Sequence, residues 1–85
     1  MVVIVSYDPD ADATYVKVTD AAVASTDSVG DLVAVDLDAD GDPVGIEVLK
    51  APGAVSAGDE AAVLGRYPGL RTAFETLHRA IAQPA

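Results

Sequence analysis

Between Leu32 and Leu49 the chain alternates apolar and polar residues on both sides of an Asp-Gly pair, and few backbones can satisfy that arrangement. A strand sends successive side chains to opposite faces, so period-two alternation buries one face and solvates the other. Val33, Val35 and Leu37 share one face of the first half, and Val44, Ile46 and Val48 share one face of the second. Asp40-Gly41 is the dipeptide favoured by a two-residue type I′ turn, whose central residues both need positive φ. Such a turn sets Ala39 opposite Asp42 and pairs Leu37 with Val44, Val35 with Ile46 and Val33 with Val48. The same register brings Asp31 opposite Lys50, a charge match that the turn did not require.

Three further strands are expected before this hairpin. Val2 to Tyr7 is apolar and β-branched and ends in the turn chemistry of Asp8-Pro9-Asp10-Ala11-Asp12. Thr14 to Thr19 alternates, with Val16 and Val18 on one face and Tyr15 and Lys17 on the other. Val23 to Val29 is weaker, being rich in Ser, Thr and Ala, and Gly30-Asp31 suits a two-residue type II′ turn with glycine first. After Ala51-Pro52-Gly53 the period becomes helical. Ser56 or Gly58 can cap a short helix through about Arg66, with Asp59 and Glu60 in its first turn, where the helix dipole favours acids. Tyr67-Pro68-Gly69 interrupts it, because proline lacks a backbone donor and disfavours helix in the residue before it. Leu70, Ala73, Phe74, Leu77 and Ile81 then form one stripe, while Arg71, Glu75 and Arg79 stand four apart as candidate ion pairs. The fold class is therefore α+β: an antiparallel β-meander of about five short strands, followed by C-terminal helical segments packing on the sheet.

At 85 residues the chain makes one domain, 1–85, because two halves would each be too small to bury a core. It divides into a strand-rich unit, 1–50, and a helical tail, 51–85. The net charge of −9 is unevenly placed: residues 1–55 hold ten Asp and Glu47 against Lys17 and Lys50, whereas residues 56–85 balance three acids with three arginines. A field of that sign repels phosphate backbones, so nucleic acid is excluded as a partner and a basic protein is favoured. The absence of cysteine removes disulfides, thiolate catalysis and Cys-ligated metals. Met1 to Tyr7 has no basic leader and is interrupted by Asp8-Pro9-Asp10, which fits neither a signal peptide nor a membrane span, and a cytoplasmic location is expected.

The segments Tyr7-Asp8-Pro9-Asp10-Ala11-Asp12-Ala13-Thr14-Tyr15-Val16, Val35 to Gly41 and Val44 to Leu49 together resemble the small proteins grouped as domain of unknown function 2283. The resemblance covers roughly residues 3 to 50. It implies a compact strand-rich unit and carries no activity, so it assigns no catalytic residue.

The sharpest chemical motif is Asp36 to Glu47, which satisfies the pattern of a calcium-binding EF-hand loop, with acids at loop positions 1, 3 and 5, glycine at 6 and glutamate at 12, although Pro43 stands where such loops carry a small apolar residue. An EF-hand needs a helix on each side, and both flanks here have strand character. In the hairpin register Glu47 lies opposite Ala34, too far along the ladder to close a cage around Asp40. Asp38, Asp40 and Asp42 at the tip remain as candidate contacts for a weakly held cation. Asp8, Asp10 and Asp12 surround a proline turn, where carboxylates ordinarily cap backbone amides. His78, the one histidine, has Glu75 at helical spacing and reads as a flanking or interface residue. No serine sits in a nucleophile-elbow context. The reading is a non-enzymatic chain without cofactor: a small acidic interaction module, homo-oligomeric because a short open sheet exposes two edges, that binds a basic protein partner. The alternative is a cation- or small-ligand-binding regulatory domain.

Overall fold

The structure, a computed structural model, describes residues 3–49 and 57–82. Five strands, β1 (Ile4–Asp8), β2 (Ala13–Lys17), β3 (Ser25–Ser28), β4 (Val33–Leu37) and β5 (Pro43–Leu49), form one antiparallel sheet. Helix α1 (Ala57–Arg66), a 3₁₀ turn (Pro68–Leu70) and helix α2 (Arg71–Ala82) follow. The α+β class and the meander-like sheet agree with the sequence pattern, and the strand order refines it. The order is β1-β2-β5-β4-β3, so two runs of sequential neighbours are joined where β2 lies beside β5. The chain between β2 and β3 therefore crosses the end of the sheet, and β3 becomes an edge. An edge strand needs only one partner. That explains why it shrinks from the expected Val23–Val29 to the polar run Ser25–Ser28, with Val23 left 51% exposed.

The β4–β5 hairpin keeps the expected pairs Val33↔Val48 and Val35↔Ile46 but departs at its tip. Leu37 faces Pro43, not Val44, and a bulge falls between Asp36 and Leu37. The turn is not type I′: among the described residues only Asp12 and Gly41 have positive φ, with Gly41 at 84°. The Asp38 amide donates to the Asp42 carbonyl (2.9 Å) and the Gly41 amide to the Asp38 carbonyl (3.0 Å), which closes a three-residue loop with glycine last. This loop wins because type I′ would force Asp40 into left-handed backbone, at about 1–2 kcal/mol for a residue with a β-carbon. The Asp38 carboxylate adds to it by accepting the amides of Asp40 and Asp42, both at 2.9 Å. The extra residue releases Val44 from the ladder, and its carbonyl accepts the amides of Val18 (2.8 Å) and Thr19 (3.3 Å). The expected Asp31–Lys50 match lies outside the described residues at Lys50.

The β3–β4 connection differs in the same way. Val29 bonds Val33 across a three-residue loop, 30–32, and Gly30 does not take positive φ, so no type II′ turn forms. Gly30 lies against the helix that follows the sheet: a β-carbon there would stand 2.7 Å from Asp59 Oδ1 of α1, a contact that rotation of the Asp59 side chain relieves.

The two helices cover one face of the sheet. Val16, Val35 and Ile46 from the three central strands are wholly buried, and Val63, Leu70, Ala73, Phe74 and Leu77 close over them. Val63 of α1 was not part of the expected stripe. Asp59 and Glu60 occupy the first turn of α1 as expected, but Gly58 lies inside the helix, while Ser56 and the side chain of Ile81 lie outside the described residues. Arg71, Glu75 and Arg79 make no ion pair among the described residues; the arginine that does is Arg66, whose guanidinium stands 3.1 Å from Asp27 at the β3 edge. No described helix is long and apolar enough to cross a membrane.

Candidate functional site

With the helices on one side, the opposite face of the sheet is uncovered, and its register places a polar network across four strands. Tyr15 of β2 faces Glu47 of β5, so its diagonal neighbour on β5 is Gly45, and Gly45 in turn faces Asp36 of β4. A diagonal step is within reach of an aromatic side chain. The Tyr15 ring crosses Gly45 and its hydroxyl donates to Asp36 Oδ2 at 2.8 Å, while Thr26 of β3 donates to Asp36 Oδ1 at 2.7 Å. Burial beneath this network, with the carboxylate of Asp36 beside it, pushes the Tyr15 phenol up to about 12. Any β-carbon on Gly45 would meet the Tyr15 hydroxyl at 2.3 Å.

Beside this network the same face holds a shallow hollow of about 220 Å³. Leu32, Ala34 and Leu49 give it apolar lining, Thr26 a hydroxyl, and Asp31 and Glu47 carboxylates. Leu32 and Leu49 are 37% and 39% exposed. Among the described residues neither Asp31 nor Glu47 has a cationic partner, and the ion pairs of the sheet layer engage Asp20, with Lys17, and Asp27, with Arg66.

The twelve residues that match a calcium loop lie across a β-hairpin, and both oxygens of Asp36 already accept hydroxyl hydrogens. Glu47 stands exposed on the open face, opposite Ala34 and Tyr15. The geometry of an EF-hand is thus not formed. The tip does bring Asp38, Asp40 and Asp42 together, one carboxylate oxygen of each lying within 4.8 Å of the others. Asp38 Oδ1 is committed to two amides there, which leaves its other oxygen and the exposed carboxylates of Asp40 and Asp42.

The first acidic turn does what its proline context suggests. Asp8 Oδ1 accepts the amides of Asp10 (3.0 Å) and Ala11 (3.4 Å), and the Tyr7 hydroxyl donates to Asp12 Oδ1 at 2.9 Å. That bond raises the Tyr7 phenol above its ordinary value. His78 pairs with Glu60 of α1, not with Glu75 of its own helix, and its ring lies 6.5 Å from that of Phe74. At the helix junction the Tyr67 hydroxyl reaches Asp27 Oδ2 at 2.7 Å; this bond first, and the Arg66 guanidinium second, hold the Asp27 carboxyl below the usual range.

The pattern of the sequence did not single out the Tyr15–Asp36–Thr26 network. Its one signal was Gly45 in the middle of an otherwise β-branched strand, since glycine there marks a close approach by a neighbour.

A family model described as "Protein of unknown function (DUF2283)" matches residues 4–51, more than half of the chain and all five strands. The chain belongs to this family. The open-face network and the hollow both lie within the matched segment, and the two helices lie outside it. No curated protein and no solved structure matches the chain.

Proposed function

We propose that the protein is an interaction module whose uncovered sheet face receives a basic segment of a partner protein. The observation that supports this reading is the hollow bounded by Asp31 and Glu47, two carboxylates without a cationic partner among the described residues, next to the apolar side chains of Leu32, Ala34 and Leu49. Arginine and lysine side chains want that combination: an apolar surface for the stem and an acceptor for the charged head. The excess of acids in the strand half extends the attraction beyond contact distance and speeds encounter with a basic surface. A phosphate-bearing ligand would be repelled by the same field.

The test is a titration of isotope-labelled protein with an arginine-rich peptide and with the same peptide carrying citrulline, which has the shape of arginine without its charge. Amide shifts are expected at residues 26–34 and 47–49 for the arginine peptide only, fading near 1 M salt, where screening lengths fall to about 3 Å. Equal shifts for both peptides, or none for either, would refute the reading.

A cation-binding regulatory role has one supporting observation, the approach of Asp38, Asp40 and Asp42 at the hairpin tip. A thermal shift with a millimolar divalent cation, absent with monovalent salt at equal ionic strength, would favour it over the peptide reading.

A further inference from the structure

The two edges of the sheet are not alike. The β3 edge is four polar residues long, and Asp27 within it is tied to Arg66 and Tyr67 of the helical layer. The β1 edge is guarded only at its end, by Asp8. From Ile4 to Tyr7 it carries no charge, proline or glycine, and among the described residues no segment pairs with its outer side. Ile4 and Tyr7 are 52% and 46% exposed, and they project from opposite faces. In a chain of net charge −9, this uncharged stretch is where a second copy can approach without meeting carboxylates head on.

We infer that two copies join through β1, antiparallel about a two-fold axis at Ser6, so that the sheet continues from one copy into the other. Ser6 then faces Ser6 of the second copy, Val5 faces Tyr7, and Ile4 faces Asp8. Because the pairing keeps odd residues opposite odd residues, the faces match across the junction. On the helix-covered face the Tyr7 ring of one copy lies beside Val5 of the other, an aromatic and β-branched cross-strand pair that covers the exposed ring. On the open face Asp8 of one copy comes to the row of Ile4 and Lys17 of the other, since Ile4 already faces Lys17 on β2. The two Asp8 carboxylates fall at opposite ends of the junction, whereas a parallel arrangement would stack them. A two-fold contact of this kind is closed, so it ends at a dimer. The surface is separate from the hollow, and the inference does not depend on a basic partner.

The absence of cysteine makes the test direct. Facing residues of an antiparallel pair have Cα atoms about 4.5–5.5 Å apart, within disulfide range. Oxidised Ser6→Cys protein is expected to run as a covalent dimer, whereas Ile4→Cys, whose two copies would be separated along the strand, and Ser28→Cys on the opposite edge stay monomeric on a non-reducing gel. Ser6→Glu should turn the wild-type dimer, read by light scattering at micromolar concentration, into a monomer with unchanged far-ultraviolet dichroism. The Ser6→Glu monomer should still bind the arginine peptide, which keeps the two proposals separable. A wild-type monomer, preferential cross-linking at position 28 or 4, or a folded Ser6→Glu dimer would overturn the inference.

Discussion

Gly45→Ala is the substitution that most directly probes how the open face is built. A β-carbon at this position would lie 2.3, 2.5 and 2.7 Å from the hydroxyl oxygen, Cζ and Cε1 of Tyr15, well inside contact distance. The backbone of β5 is held between β2 and β4, so the ring is what moves. Swinging it away breaks the 2.8 Å bond to Asp36, a hydrogen bond to a carboxylate, worth about 1.5–3 kcal/mol. Two effects offset part of this loss. Replacing glycine in a strand interior recovers roughly 0.5–1 kcal/mol of backbone entropy, and water can reach the vacated oxygen because Asp36 is only partly buried. The net expectation is a destabilisation of about 1–2 kcal/mol, or a melting temperature lower by roughly 4–16 °C for a domain of this size. Thermal melts of Gly45→Ala, Tyr15→Leu and the double variant form a cycle that isolates the clash. Once Tyr15 is removed, Gly45→Ala should become neutral or stabilising. If Gly45→Ala costs nothing in the wild-type background, or the same amount in both backgrounds, the ring does not cross Gly45 and the account of the network fails.

Two other perturbations test different links. Gly41→Val places a β-branched side chain at φ 84° and should lower stability by about 1–2 kcal/mol in urea unfolding, whereas Asp40→Val, at a position without positive φ, should cost clearly less; equal losses would restore the two-residue type I′ turn. Alkaline unfolding tests Tyr15: its folded phenol titrates near 12 against an ordinary 10, so the stability it contributes is complete below pH 10 and disappears as pH rises toward 12. Tyr15→Phe should remove that part of the decline between pH 10 and 12, and an unchanged profile would rule the phenol out as its source.

The sequence alone determined which elements form and, away from the hairpin tip, how β4 and β5 pair, because both follow from short-range physics. Alternation of Val33, Val35, Ile46 and Val48 specifies strands and a register, since a slip by one residue would turn every one of them to solvent. The change of period after residue 53 and the break at Pro68 likewise mark helices from local geometry. What the tertiary structure decided were choices between local options of similar energy. Asp40-Gly41 suits a two-residue or a three-residue loop, and the Asp38 carboxylate tips it to the longer one, with a bulge as the consequence. The placing of β2 beside β5 leaves no periodic trace, because the inward faces of all strands look alike to a pattern. Its results do depend on that order: Tyr15 over Gly45 onto Asp36, the hollow between Asp31 and Glu47, and a bare β1 at one edge. Glycine carries two meanings, conformational at Gly41 and spatial at Gly45, and the spatial one is settled only by the neighbour that the fold brings to the place of the missing β-carbon.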